Sequence, residues 1–273
     1  METMNQHPTA QLSPVLFIPH GAGPLPLLGD TSHQDMVGFL KDLVPTLGKP
    51  SAIVVISAHW EETVVTITSG TAPALLYDYR GFPAAAYQIQ YPAPGDPVLA
   101  KKVHHWLQQG GIAAKLDNQR GFDHGLYVPL KIMFPDATIP CIQLSLLNNL
   151  SAAAHIAIGK ALMELRQENV LIIGSGFSFH NLRAFFSQTA DASDPKNAAF
   201  EHWLIDTCTN PELSVQERET RLTHWDLAPF ARYCHPREEH LLPLHVCFGL
   251  SQTNARLVFE GQVAGKKASA FLW

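Results

Sequence analysis

Apolar residues gather in short continuous runs along this chain, and between the runs they recur with a helical period. Buried parallel strands read as unbroken Val, Ile and Leu runs. The pattern predicts strands at Val15–Pro19, Ala52–Ser57, Val64–Thr68, Ile139–Ser145 and Val170–Gly174.

Helices are predicted between these strands. Asp96 and Pro97 open a segment with apolar positions at a 3.6-residue period, as an N-cap followed by a first-turn proline does. Further helices are predicted at Ser151–Gln167, Glu217–Trp225 and Glu239–Leu250, the last with His240 in its first turn. Alternating strands and helices favour a single α/β domain with a central, mostly parallel or mixed sheet flanked by helices.

Five histidines lie at the ends of apolar runs or at loop and helix edges: His20, His59, His124, His180 and His240. In open α/β sheets, ligands bind beyond the carboxyl ends of the strands. Imidazoles brought to that edge by different strands would meet in space, so the pattern predicts a metal site at the C-terminal edge of the strands.

Composition narrows the class of protein. Of the 273 residues, 46% are hydrophobic and 16% charged, and the net charge of −5 is not that of a nucleic-acid-binding protein. No apolar run approaches the ~18 residues of a membrane span. The four cysteines are widely spaced and are interpreted as reduced, buried thiols. We therefore expect a cytoplasmic protein, monomer or homodimer, without nucleic-acid or membrane partners.

Other motifs are absent or weak. The glycine-rich turns lack the lysine of a phosphate-binding loop, and neither GxGxxG after the first strand, GxSxG nor HExxH occurs. The remaining polar-flanked histidines are predicted at the surface: His7, His33, His104, His105, His202 and His224.

Several short motifs occur in a fixed order along the chain. They are Pro19-His20-Gly21, Ser57-Ala58-His59-Trp60, Gly81-Phe82-Pro83, Tyr91-Pro92-Ala93-Pro94-Gly95, Gly121-Phe122-Asp123-His124-Gly125, His180-Asn181-Leu182 and Glu239-His240 followed by Pro243-Leu244. Together they resemble the 4,5-DOPA extradiol dioxygenase family, class III extradiol ring-cleaving dioxygenases related to the catalytic subunit of protocatechuate 4,5-dioxygenase. The resemblance runs from about residue 15 to 260 and implies a catalytic domain at 15–273 after a flexible segment at 1–14.

The resemblance also implies roles for the histidines. His20, His59 and His240 match metal-site residues, and His124 matches a substrate-facing histidine. His180 matches a fourth ligand in zinc-bound members and an acid/base in the catalytic-subunit relatives. The chain departs from the pattern at Phe177-Ser178-Phe179 and at His245-Val246-Cys247, which leaves the substrate open.

The implied reaction is cleavage of a catechol ring by O₂ at a non-haem Fe(II), with Zn(II) able to occupy the same imidazole site. Imidazole suits proton transfer near neutral pH, so His124 and His180 are the candidate catalytic residues. The ordered, Pro-rich loop from Tyr77 to Pro97 is predicted to reach the active site. Candidates for the substrate pocket are Trp60, Phe82, Tyr91 and Phe177.

Two alternatives remain open from the residues. A zinc hydrolase could use Asp123, Glu238 or Glu239 as general base, or the scaffold could serve a non-enzymatic metal-binding protein. A substrate carboxylate could be bound by Arg80, Arg120 or Arg183.

Overall fold

The computed structural model describes residues 12–185 and 194–273, in which eight strands form one mixed sheet. The strands are β1 (Val15–Pro19), β2 (Ala52–Glu62), β3 (Val65–Thr68), β4 (Ala114–Asp117), β5 (Cys141–Leu147), β6 (Val170–Gly176), β7 (Arg256–Val263) and β8 (Lys266–Leu272). Their order across the sheet is β4-β3-β5-β2-β6-β1-β8-β7. The central strands β5, β2, β6 and β1 pair in parallel, whereas β8 pairs antiparallel with β1 and with β7.

Helices flank this sheet. They are α1 (Gln34–Leu43), α2 (Pro97–Gln109), α3 (His124–Met133), α4 (Ala152–Ala161), α5 (Leu182–Phe185), α6 (Pro195–Thr209), α7 (Val215–Thr223), α8 (Ala231–Cys234) and α9 (Leu242–Ser251). Short 3-10 helices lie at Leu25–Leu28, Thr31–His33, Val44–Thr46, Ala84–Gln88, Met163–Gln167 and Trp225–Leu227. The protein is therefore a single α/β domain with a mixed central sheet, as the hydrophobic pattern predicts.

The apolar strands form the centre of the core. β1 and the first seven residues of β2 are fully buried, which is why both were recognisable as continuous apolar runs. α9 packs against β1, β2 and β6, and α4 packs closely on α9. This last contact requires glycine at position 159, because a Cβ there would overlap the carbonyl oxygen of Val246.

Several sequence expectations need correction. The predicted helix at Glu239–Leu250 begins only at Leu242, with Pro243 in its first turn, so His240 precedes the helix. The segment Ser151–Gln167 divides into α4 and a 3-10 helix. His33 is fully buried rather than at the surface. His105, His202 and His224 are exposed, His104 is half-buried, and His7 lies outside the described residues.

The four cysteines are free and buried. No helix within residues 12–185 and 194–273 is long and apolar enough to cross a membrane. Most of the predicted flexible segment at 1–14 lies outside the described residues.

A buried carboxyl group makes the stability of this fold depend on pH. Glu201 of α6 accepts a 2.6 Å hydrogen bond from Ser269 of β8, and burial raises the pKa of Glu201 to about 7. Because the folded state then holds this proton more tightly than the unfolded state, Glu201 destabilises the fold increasingly as pH rises from about 4.5 through 7. The Glu201→Gln variant should remove this destabilisation, which lowers the free energy of unfolding by on the order of 3 kcal/mol at pH 8.

Chemical denaturation of both proteins at pH 5 and pH 8 tests this expectation. The Glu201→Gln variant should gain stability over the wild type at pH 8 and much less at pH 5. An equal difference at the two pH values would show that Glu201 does not change its protonation on folding.

Candidate metal centre and active-site cavity

Three imidazoles from separate parts of the chain converge beyond the carboxyl ends of the central strands. His20 directly follows β1, His59 lies in the last part of β2, and His240 lies in the turn before α9. The Nε2 atom of His59 is 2.9 Å from Nε2 of His20 and 3.3 Å from Nε2 of His240. The sequence pattern predicts these residues at one edge of the sheet, and in the structure their Nε2 atoms lie close together.

Backbone contacts at the end of β6 hold His240 in place. Phe177 donates its backbone N–H to the carbonyl oxygen of His240 at 2.9 Å. Gly176 lies against the same carbonyl group, and a Cβ at position 176 would overlap it. His20 is tied to the same strand end, because its backbone N–H donates to the Gly176 carbonyl at 3.3 Å.

The hydrogen bonds at Nδ1 determine which nitrogens carry lone pairs. The hydroxyl of Ser175 donates its one proton to the carbonyl oxygen of Gly125 at 2.5 Å, so Ser175 must accept from Nδ1 of His20, 3.0 Å away. Nδ1 of His240 donates to the carboxylate of Glu239 at 2.9 Å. His20 and His240 therefore direct unprotonated Nε2 atoms toward the point where the three rings meet.

This donor set fits a metal ion. The Nε2 lone pairs of His20 and His240 face Nε2 of His59 at 2.9 and 3.3 Å, and a single N–H on His59 could serve only one of them, whereas a cation among the three nitrogens would satisfy all. With metal–nitrogen bonds of about 2.1 Å, neighbouring ligands are about 3.0 to 3.4 Å apart. Burial and the neighbouring imidazoles also lower the pKa of all three histidines well below the usual value, which keeps them in the neutral form that binds metals.

His124 adjoins this cluster and is held by an acid that the sequence analysis missed. Nδ1 of His124 donates to Asp78 at 2.8 Å, and the ring centroids of His124 and His59 are 3.9 Å apart. Burial opposes the ionisation of Asp78, but its hydrogen bond and proximity to His124 lower its pKa overall. The Asp78–His124 pair thus presents another unprotonated Nε2 to the cluster.

Buried contacts of Asp123 anchor the helix that begins at His124. The carboxyl group of Asp123 is fully buried and accepts from Ser57 of β2 at 2.8 Å and from Arg120 at 3.1 Å, and it also contacts Gln143. Burial raises its pKa. These contacts explain the Gly-Phe-Asp-His-Gly motif, because Asp123 fixes the position of His124 relative to β2.

His180 stacks on His240, with ring centroids 3.4 Å apart and an angle of 20° between the planes. The same Glu239 oxygen that binds His240 lies 2.9 Å from Nδ1 of His180. Burial alone would raise the pKa of Glu239, but the hydrogen bond and charge interaction with His180 lower it overall. One carboxylate therefore orients two imidazoles.

A salt bridge on the cavity wall connects two of these elements. Arg237 binds both carboxylate oxygens of Glu61 at 2.5 and 2.6 Å and lies 3.4 Å from Glu239. Glu61 is two residues after His59, and Arg237 is three residues before His240. The pair therefore links β2 to the turn that carries His240. The sequence of neither segment alone predicts this salt bridge.

The histidines line a cavity of about 760 Å³, within the range of small-molecule sites. Its other walls are mainly apolar and aromatic. Phe82 and Phe177 lie on them, together with Tyr79 and the buried His33, neither of which was a sequence candidate. Trp60 and Tyr91 are buried away from this cavity in the part of the chain that the structure describes. The Tyr77–Pro97 loop contributes Tyr79, Arg80 and Phe82 to the wall, so the loop reaches the site, as expected from the sequence.

Comparison with known proteins identifies the family. Residues 15–266 match the family described as the catalytic LigB subunit of aromatic ring-opening dioxygenase. The chain belongs to this family. It is an extradiol ring-opening dioxygenase, and LigB dioxygenases depend on a metal.

Individual relatives agree with this assignment. The chain is 39% identical to a 4,5-DOPA dioxygenase extradiol of Portulaca grandiflora over 89% of each chain. It is 37% identical to a dioxygenase named tasH of Hapsidospora irregularis, over 90% of this chain and 80% of that one. The crystal structure of an uncharacterized Escherichia coli K12 protein superposes with a TM-score of 0.75 at 29% identity, covering 95% of this chain and 99% of that chain.

Proposed function

We propose that the protein cleaves the ring of a DOPA-like catechol with O₂ at an Fe(II) ion held by His20, His59 and His240. The observation that supports this most directly is the convergence of the Nε2 atoms of these three histidines at a largely apolar cavity. The relatives named as 4,5-DOPA dioxygenases support the choice of substrate.

When bound there, Fe(II) would supply the redox chemistry by which O₂ reacts with a catechol, and it would leave positions open for both. Zn(II) fits the same donors but has no redox chemistry. A zinc-loaded protein should therefore bind catechols without cleaving them.

His124 is the proposed general base. Its Nδ1–H is bound by Asp78, so Nε2 is free to accept the proton of a catechol hydroxyl. The Asp78 carboxylate would then stabilise the imidazolium that forms, as the aspartate of a Ser-His-Asp triad does for its histidine. Apolar walls at Phe82 and Phe177 would hold the aromatic ring and exclude water.

His180 can take either of two roles in this arrangement. Its stacking on His240 and its contact with Glu239 would suit a fourth ligand, and the same contact would suit a proton donor. We propose the proton-transfer role, because the side chain of His180 is 20% exposed and borders the cavity, where a product proton is needed.

A zinc hydrolase is disfavoured by the positions of its required bases. Asp123 is fully buried in contacts with Ser57 and Arg120. Glu238 binds Arg232 at 2.6 Å, and Glu239 binds two imidazoles. Of the three, only Glu239 lines the metal cavity, and there its Oε1 binds the two imidazoles while its Oε2 lies 3.4 Å from Arg237, which makes it a poor base for activating water.

Metal reconstitution tests the proposal. Stripped protein loaded with Fe(II) should convert DOPA into a yellow ring-opened semialdehyde in air, whereas the zinc-loaded protein should not. Both forms should be inactive under strict anaerobic conditions. Turnover by the zinc form, or equal turnover without oxygen, would contradict the proposed chemistry.

A further inference from the structure

The charge on the cavity wall points to the kind of catechol that fits. Four arginines lie within four residues of a histidine of the site or of its acidic partner: Arg80, Arg120, Arg183 and Arg237. Each could in principle bind a carboxylate on the substrate side chain. Their contacts distinguish them.

Arg120 already binds other residues outside the cavity. Its guanidinium group binds Asp123 at 3.1 Å, lies 4.3 Å above the Trp60 ring and is 19% exposed. It does not line the cavity in the described part of the chain. Its contacts hold the segment before His124 rather than a ligand.

Arg237 lines the cavity but is already neutralised. Both of its bonds to Glu61 are short, and Glu239 lies on its other side. A substrate carboxylate could bind Arg237 only by displacing one of these carboxylates. Arg183 borders a neighbouring groove, together with Arg232 and Tyr233, and does not line the metal cavity as far as the described residues show.

Arg80 differs from all three. It lines the metal cavity, its side chain is exposed, and it forms no ion pair with any residue in 12–185 or 194–273. The charged groups that share this wall are Glu61, Glu239 and Arg237, which bind one another or the histidines. The cavity therefore has one cation without a matching anion among the described residues.

The backbone that carries Arg80 is fixed close to the proposed base. Asp78 binds His124, and Tyr79 donates its hydroxyl to the Ala86 carbonyl at 2.7 Å. Arg80 is two residues after Asp78, so their Cα atoms are at most about 7.6 Å apart. The ring of Tyr79, the residue before Arg80, lies 5.8 Å from the His124 ring.

We propose that Arg80 binds the carboxylate of the substrate's side chain and makes the enzyme select catechols with an anionic substituent. The proposal rests on the proposed function of the cavity as a catechol site. Arg80 acts on binding and not on the reacting ring, so it should affect KM and leave kcat largely unchanged.

Calorimetric binding to the zinc-loaded protein tests this without turnover. The matched ligands are 3,4-dihydroxyphenylpropionate and its methyl ester, in which one methyl group replaces the negative charge at the end of the side chain. The wild type should bind the acid about tenfold more tightly, the lower end of what a charge-assisted hydrogen bond contributes. Arg80→Gln should abolish that preference, Arg80→Lys should keep part of it, and ester binding should change little.

Arg183→Gln is the matched control, since it removes an exposed arginine beside the cavity rather than in it. An unchanged preference in Arg80→Gln, a loss in Arg183→Gln instead, or equal affinity of the wild type for both ligands would overturn the assignment to Arg80. A wild-type protein that binds neither catechol would contradict the proposed function itself. Iron-loaded Arg80→Gln should show the same loss as a raised KM for the acid alone.

Discussion

The His59→Ala substitution is expected to lower metal affinity by more than about 100-fold, beyond the 10–100-fold loss typical when only an outer partner of a ligand is removed. His59 is central because its Nε2 lies within 3.3 Å of Nε2 of both His20 and His240. His20→Ala and His240→Ala should have comparable effects. Elemental analysis and competition with a chelator measure bound metal, and ring cleavage should fall in parallel.

A buried histidine outside the cluster provides the control. His155 is fully buried, and its Nε2 accepts a 3.1 Å hydrogen bond from the backbone of Leu147. His155→Ala should lower the melting temperature while the protein keeps its metal. If the three cluster variants fold and retain nearly stoichiometric metal, the proposed ligand set is wrong.

The His124→Phe substitution is expected to lower kcat by about 10²–10⁴-fold, the usual contribution of general acid–base catalysis. Phenylalanine keeps a ring in the buried position beside His20 and His59 but removes both nitrogens. Metal content and catechol affinity should change far less than kcat. Steady-state kinetics with metal analysis of the same samples separates these effects.

Asp78→Asn provides a graded comparison, since it keeps a hydrogen-bonding side chain but removes the charge beside His124. Its kcat should fall less than that of His124→Phe. Loss of metal from a folded His124→Phe protein would make His124 a ligand instead of the base. An unchanged kcat would leave His124 with a structural role only.

The parts of the fold that could be predicted from sequence are those governed by local pattern. β1 was predicted with its observed bounds because every side chain in Val15–Pro19 is buried. The hairpin of β7 and β8 was missed, because its two-residue turn is Ala264-Gly265 with φ of 50° and 76°. Such turns are normally signalled by Asn-Gly or Asp-Gly, and alanine at a positive φ gives no such signal.

The histidines of the site could be predicted because the carboxyl ends of parallel strands meet at one edge. Their partners could not. Asp78 is 46 residues from His124, and Glu61 is 176 residues from Arg237. His33 was assigned to the surface from its polar neighbours. Its burial leaves no ring nitrogen unpaired, because one accepts from the Ala22 backbone at 3.1 Å and the other binds Asp30 at 2.9 Å.

Oxygen-isotope labelling tests the central claim most directly. Iron-loaded protein is supplied with DOPA and heavy-oxygen-labelled O₂, and the aldehyde is reduced at once to prevent exchange with water before mass spectrometry. The proposed function predicts two labelled oxygen atoms in each ring-opened product and one O₂ consumed per catechol. A product that forms without label from O₂, or that takes its oxygen from labelled water, would contradict it.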